Sequence, residues 1–116
     1  KKLVKNGCTI IAEGANMPST AGAIKIYHQS KIHFGPGKAA NAGGVAVSGL
    51  EMSQNAIGQQ WSHEKVDHRL KLIMENIHKT CVRFGKEPNG YINYLKGANI
   101  GGFIKVAEAM KAQGVV

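Results

Sequence analysis

The chain has 116 residues, 43% of them apolar, which suits one small domain with a modest core. Fifteen Lys and Arg against seven Asp and Glu leave a net charge of +8. The basic residues are scattered from Lys1 to Lys111 with no block and no aromatic interleaving, which argues against a nucleic-acid surface. No apolar run approaches the ~20 residues of a membrane span, and no stretch reads as a signal peptide, so a cytoplasmic setting is expected.

The opening "KKLVKNG" reads as the end of an earlier element, and a first residue other than Met leads us to expect a start that is processed, trimmed or internal. Thr9–Ala12, "TIIA", is apolar and β-branched and follows the Asn6-Gly7 turn signal. It predicts a strand buried on both faces, as in a parallel sheet. "EGANMPST" is a loop. Ala21, Ile24, Tyr27 and His28 recur at helical spacing, which predicts a helix over 19–29 with Ser19 or Thr20 available to cap it. Lys31–Phe34 is a second strand, closed by Gly35-Pro36-Gly37. Strand, helix and strand make one βαβ unit.

Everything after Lys38 reads as helix. The first long helix is predicted over 41–57. Ser62 caps a second, with Glu64 and Asp67 placed where the helix dipole favours acids, and Val66, Leu70, Ile73, Ile77, Cys81 and Phe84 mark its apolar stripe before Gly85. "KEPNGYINYLKG" is expected as a loop. A last helix over 98–113 shows Ile100, Phe103, Ala107 and Met110 on one face and stops at Gly114. Cys8 and Cys81 stand in no metal-like spacing and read as reduced, buried thiols.

Two parallel strands with one crossover do not make a stable sheet, because both edges stay unpaired and only one face finds cover. The expectation is therefore a C-terminal piece of a larger α/β protein: residues 1–40 forming the C-terminal half of a Rossmann-like dinucleotide-binding domain, and 41–116 three helices leading back toward a substrate domain.

Two stretches carry chemistry. In "PGKAANAGGVAVSGLEM" (36–52), Asn41, Val45, Ser48, Met52 and Asn55 fall on one helical stripe that mixes polar and apolar residues. No charge lies between Lys38 and Glu51. Adjacent glycines, Gly43 and Gly44, open this helix although each costs about 1 kcal/mol relative to alanine. They suit backbone N–H groups approaching an anion, or tight packing against a neighbouring helix, and spacing alone leaves both open, as it leaves Asn41 open as a plain N-cap. "AEGAN" (12–16) sits where a parallel strand ends, the position at which open α/β sheets bind ligands. Asn16 there can hydrogen-bond a ligand, and Glu13 reads as an exposed loop carboxylate.

Other constellations fail. The five histidines have neither H-x-x-x-H nor H-E-x-x-H spacing, so no metal site is expected. "VSGLE" is not G-x-S-x-G, "PGKAANAGG" lacks the P-loop order, and "GANIGG" (97–102) has its glycines at the wrong offsets for a dinucleotide fingerprint. "GAN" occurs at 14–16 and again at 97–99 in different surroundings, which reads as coincidence.

The stretches "AEGANMPST" (12–20), "FGPGKAANAGGVAVSGLEMSQN" (34–55), "KVDHRLKLIMENIH" (65–78) and "GANIGGFIKVAEAMKAQGV" (97–115) resemble the C-terminal quarter of the hexameric glutamate dehydrogenases, in order and across nearly the whole chain. The likeness is to the NADP-preferring microbial type. It implies a two-domain α/β subunit that converts L-glutamate to 2-oxoglutarate and ammonia with NADP(H), NAD(H) being possible, and that assembles as a hexamer. It also implies that Gly14, Ala15 and Asn16 line the nicotinamide side of the cofactor site, with Asn41 approaching nicotinamide and substrate. Val45 would shape the substrate pocket and Ser48 would bind the substrate's side-chain carboxylate. The family's catalytic lysine and aspartate belong to parts absent from these 116 residues, so no catalytic residue is expected here. The competing expectations are a related dehydrogenase for apolar amino acids and a basic helical binding module.

Overall fold

The computed structural model describes residues 1–114. A one-turn helix, α1 (Lys2–Lys5), leads through Gly7 in the left-handed region (φ 77°) to β1 (Ile10–Ala12). Helix α2 (Ala21–Gln29) follows, and β2 (His33–Gly35) pairs with β1 in parallel, Ile11 opposite Phe34. Thr20 starts α2 by accepting a hydrogen bond from the Ala23 N–H at 3.2 Å. The expected βαβ unit is therefore present, its strands one or two residues away from their predicted positions.

The core is small and centred on β2. Phe34 is 1% exposed, with Ile32, Ala39 and Cys81 buried around it and the Tyr27 ring 5.4 Å from its own. The expectation that β1 is buried on both faces does not hold. Ile10 is 68% exposed, because β1 has a single neighbour while α2 and α6 pack on β2.

The helical part begins earlier than predicted. Helix α3 (Gly37–Ala40) precedes α4 (Ala42–Ile57), with Asn41 between them at φ −95°, ψ 11°. Gly58, at φ 64°, ends α4. In the break that follows, the Trp61 N–H donates to Gln54 Oε1 at 2.6 Å, and the Arg69 guanidinium lies 4.0 Å above the indole. Ser62 caps α5 (His63–Gly85) as expected, with Glu64 in its first turn; Asp67 lies beyond that turn. The predicted stripe from Val66 to Phe84 is the face α5 turns inward.

Helix α6 (Tyr94–Gln113) starts four residues before the predicted start at 98. Asn93 caps it, accepting from the Lys96 N–H at 3.0 Å. The loop shrinks to 86–93, where Lys86 bridges Ile92 and the Tyr91 hydroxyl donates to the Ile32 carbonyl at 2.9 Å. The apolar face of α6 is covered only in part: Ile100 and Ala107 are half-buried, while Phe103 is 72% exposed and Met110 is exposed with it. The closest approach to α5 is made by small residues. A Cβ at Gly97 would overlap the Cys81 carbonyl, so only glycine lets the two backbones come this close.

Cys81 is buried, and burial pushes its thiol pKa up. Cys8 is only half-buried, contrary to expectation, since the strand beside it lacks cover. No helix among the described residues is long and apolar enough to cross a membrane. The chain has a radius of gyration of 17.0 Å where a self-contained domain of this length would have about 13 Å. Its surface of 8537 Å² compares with about 6,100 Å² for a folded monomer of this mass. Apolar faces therefore remain uncovered, most plainly on α4 and the second half of α6.

Candidate functional site at the strand ends

The loop leaving β1 and the turn leaving β2 meet at the carboxyl ends of the two parallel strands. They enclose a cleft of about 470 Å³ whose lining includes Glu13, Asn16, Met17, Ser19, Pro36, Gly37 and Lys38. Two backbones touch at its edge. A Cβ at Gly37 would collide with the Ala15 carbonyl, which explains a glycine at the first position of α3.

Glu13 is the residue sequence reasoning misjudged. It is a buried anchor, 7% exposed, and not an exposed loop carboxylate. Its Oε2 accepts from the Gly37 N–H at 2.7 Å and its Oε1 from the Ser19 N–H at 3.2 Å. Burial alone raises its pKa, but the hydrogen bonds from Gly37 and Ser19 outweigh that and hold the carboxylate below its usual range. Both oxygens serve the fold, which leaves Glu13 poorly placed to act as a base.

Gly14, Ala15 and Asn16 are exposed on the cleft's loop, and Asn16 lines the cleft itself. Asn41 stands exposed at the junction of α3 and α4. Its side chain makes no capping hydrogen bond, so the plain N-cap reading fails and its amide is unengaged by the helix. Val45, 73% exposed, and Ser48, also exposed, continue along the outer face of α4. Asn41 to Ser48 covers roughly 10 Å of helix axis. Asn41, Val45 and Ser48 do not line the cleft; they follow it in the chain, after α3. The Ser48 hydroxyl donates to the Gly44 carbonyl at 3.2 Å, a local bond made when no stronger acceptor is offered.

The glycine pair divides. A Cβ on Gly43 would make ordinary contacts, 3.7 Å from Leu70 and Met74 of α5, whereas at Gly44 it would meet nothing within 4 Å. Packing therefore accounts for the first glycine at most, and the second faces open space. The donor set on this surface comprises an amide at Asn16, an amide at Asn41, loop backbone and a hydroxyl at Ser48. It suits small polar ligands with carboxamide and carboxylate groups, and the chain contains no G-x-G-x-x-G phosphate loop.

In open α/β sheets ligands bind outside the carboxyl ends of the parallel strands, which is where this cleft lies. Residues 1–114 match the Glutamate/Leucine/Phenylalanine/Valine dehydrogenase family, and the chain belongs to it. A glutamate dehydrogenase of Bacteroides thetaiotaomicron is 60% identical over 116 residues, all of this chain and 26% of that protein. An NADP-specific glutamate dehydrogenase of Escherichia coli is 56% identical over 115 residues, 99% of this chain and 26% of that protein. The crystal structure of Plasmodium falciparum glutamate dehydrogenase superposes with a TM-score of 0.92 at 50% identity, over 98% of this chain and 25% of that one. The chain thus spans about a quarter of the length of the curated relatives it matches.

Proposed function

We propose that this chain forms part of a glutamate dehydrogenase subunit catalysing the reversible conversion of L-glutamate to 2-oxoglutarate and ammonia with a nicotinamide dinucleotide. The observation that carries this reading is the exposed, uncharged face of α4 and its start, where the Asn41 amide caps no helix and the Ser48 hydroxyl lies two turns on. Residues 1–40 are read as the C-terminal half of a Rossmann-like dinucleotide-binding domain, and 41–116 as helices that bridge to a substrate domain. Those further parts of a subunit would cover the apolar faces of α4 and α6. A homo-hexamer in the cytoplasm belongs to the same proposal.

The residues present fit the nicotinamide end of such a coenzyme and not its phosphates. Gly14, Ala15 and Asn16 would offer backbone groups and an amide to it, and the amide of Asn41, which caps no helix, would offer another. The coenzyme would supply hydride transfer with the α-carbon of the substrate, and these residues would hold its nicotinamide end and the substrate in place for it. Val45 is assigned to the substrate's methylene chain. Ser48 Oγ, exposed one turn further on, turns from the Gly44 carbonyl to donate to the side-chain carboxylate. Orientation is what these residues contribute, and no proton-transfer role is assigned to any of them. NADP(H) is the coenzyme proposed and NAD(H) the alternative, since relatives named NADP-specific, NAD-specific and NAD(P)-specific are all more than 50% identical to this chain.

A dehydrogenase for apolar amino acids would need an apolar surface where Ser48 presents its hydroxyl. The test is Ser48→Ala in the complete subunit. A hydrogen bond to an ionised carboxylate contributes about 1.5–3 kcal/mol, so KM for 2-oxoglutarate rises roughly tenfold or more. An unchanged KM removes Ser48 from the site.

A further inference from the structure

The turn after β2 is held from two directions. On the strand side, Glu13 accepts the Gly37 N–H and the Ala15 carbonyl abuts Gly37. On the helix side, Lys38 Nζ donates to Asn99 Oδ1 at 2.7 Å, across 61 residues of sequence. Asn99 is itself well placed to resist movement. It lies two residues beyond Gly97, whose backbone is pressed against that of Cys81, and two before Gly101, which packs on Thr80. Lys38 is also the one basic residue among those lining the strand-end cleft, and it lines the neighbouring groove between α5 and α6 as well.

We propose that Lys38 is a positioning residue: latched to Asn99, its side chain ties the Pro36–Ala40 turn to α6 and so sets the nicotinamide side of the cleft. The second "GAN", at 97–99, acquires a use on this account, its glycine fixing α6 against α5 and its asparagine receiving the lysine. The proposal rests on the reading that the cleft binds a nicotinamide dinucleotide. Lys38 acts through the backbone it holds, three residues before Asn41, while Val45 and Ser48 lie further along α4.

The experiment uses the complete subunit and two readouts: the dissociation constant of the reduced coenzyme, by titration of its fluorescence in the absence of substrate, and KM for glutamate. Lys38→Met keeps the side chain's length and removes its donor; Asn99→Leu removes the acceptor. Each is expected to weaken coenzyme binding roughly fivefold, and the double variant no further, because one hydrogen bond is lost in all three. Asn99→Asp, which restores an acceptor, recovers the unsubstituted value to within about twofold. KM for glutamate stays within about twofold throughout, which a general loosening of the fold would not allow. A silent Asn99→Leu beside a damaging Lys38→Met would overturn the proposal, since Lys38 would then act directly on the ligand. Additive losses, or an equal rise in glutamate KM, would also overturn it. An unsubstituted subunit that binds no coenzyme at all defeats the reading of the cleft itself, a result distinct from any of these.

Discussion

Helices α4 and α6 are both rich in glycine, and they use it in opposite ways. In α6, Gly97 lies against the backbone of Cys81 and Gly101 against Thr80, so the missing side chains make room for α5. In α4, Gly44 and Gly49 look onto open space, and only Gly43 touches another helix, at ordinary contact distance. A small residue that packs and a small residue that leaves a surface clear look identical in sequence. What separates them is whether something already fills the space.

The largest expected effect is on the packed side. Gly97→Val would drive a side chain into the Cys81 backbone, which cannot yield as a flexible side chain would. A loss of about 3 kcal/mol or more follows, read as a large fall in the melting temperature of the complete subunit. A near-neutral result would mean that α5 and α6 do not approach as closely as described.

Glu13→Gln comes next. It replaces one accepting oxygen by a donor facing an N–H group, and about 1–2 kcal/mol is lost, reduced by solvent at the cleft mouth. The sign with pH follows from the lowered pKa. A carboxyl group more acidic when folded stabilises the fold above its ordinary pKa, and that contribution disappears as pH falls through the folded value. Thermal melts from pH 7 down to pH 3 should show this loss in the unsubstituted protein and a weaker dependence in the Gln variant.

On the open side the effect is smaller and of opposite sign. Gly44→Ala should stabilise α4 by about 1 kcal/mol, since nothing opposes the added methyl group and alanine favours helix. The same variant should raise KM for 2-oxoglutarate, because the methyl enters the space assigned to ligand. Greater stability with unchanged kinetics would return Gly44 to an incidental role.

The comparison also shows what could be read from the chain before folding. The βαβ unit, the Ser62 cap, the stripe of α5 and the stop at Gly114 each follow from local periodicity or capping, and each is found. The inward face of α6 could not be found this way. Hydrophobic spacing singles out Ile100, Phe103, Ala107 and Met110, of which Phe103 and Met110 stay exposed, while the closest approach to α5 is made by Gly97 and Gly101. Glu13 was missed for a related reason: its partners, Gly37 and Ser19, lie 24 and six residues away, and only the fold brings both N–H groups to one carboxylate. The stripe Asn41, Val45 and Ser48 was legible as a stripe because helical spacing is local. Whether it faced a ligand or a neighbouring helix depended on surroundings that spacing does not encode.

The most direct measurement is a crystal structure of the complete subunit with 2-oxoglutarate and its nicotinamide dinucleotide bound. The account predicts the substrate's side-chain carboxylate at about 3 Å from Ser48 Oγ, and the nicotinamide ring between Asn16 and Asn41. Finding Ser48 still bonded only to the Gly44 carbonyl, with both ligands bound elsewhere, would contradict it.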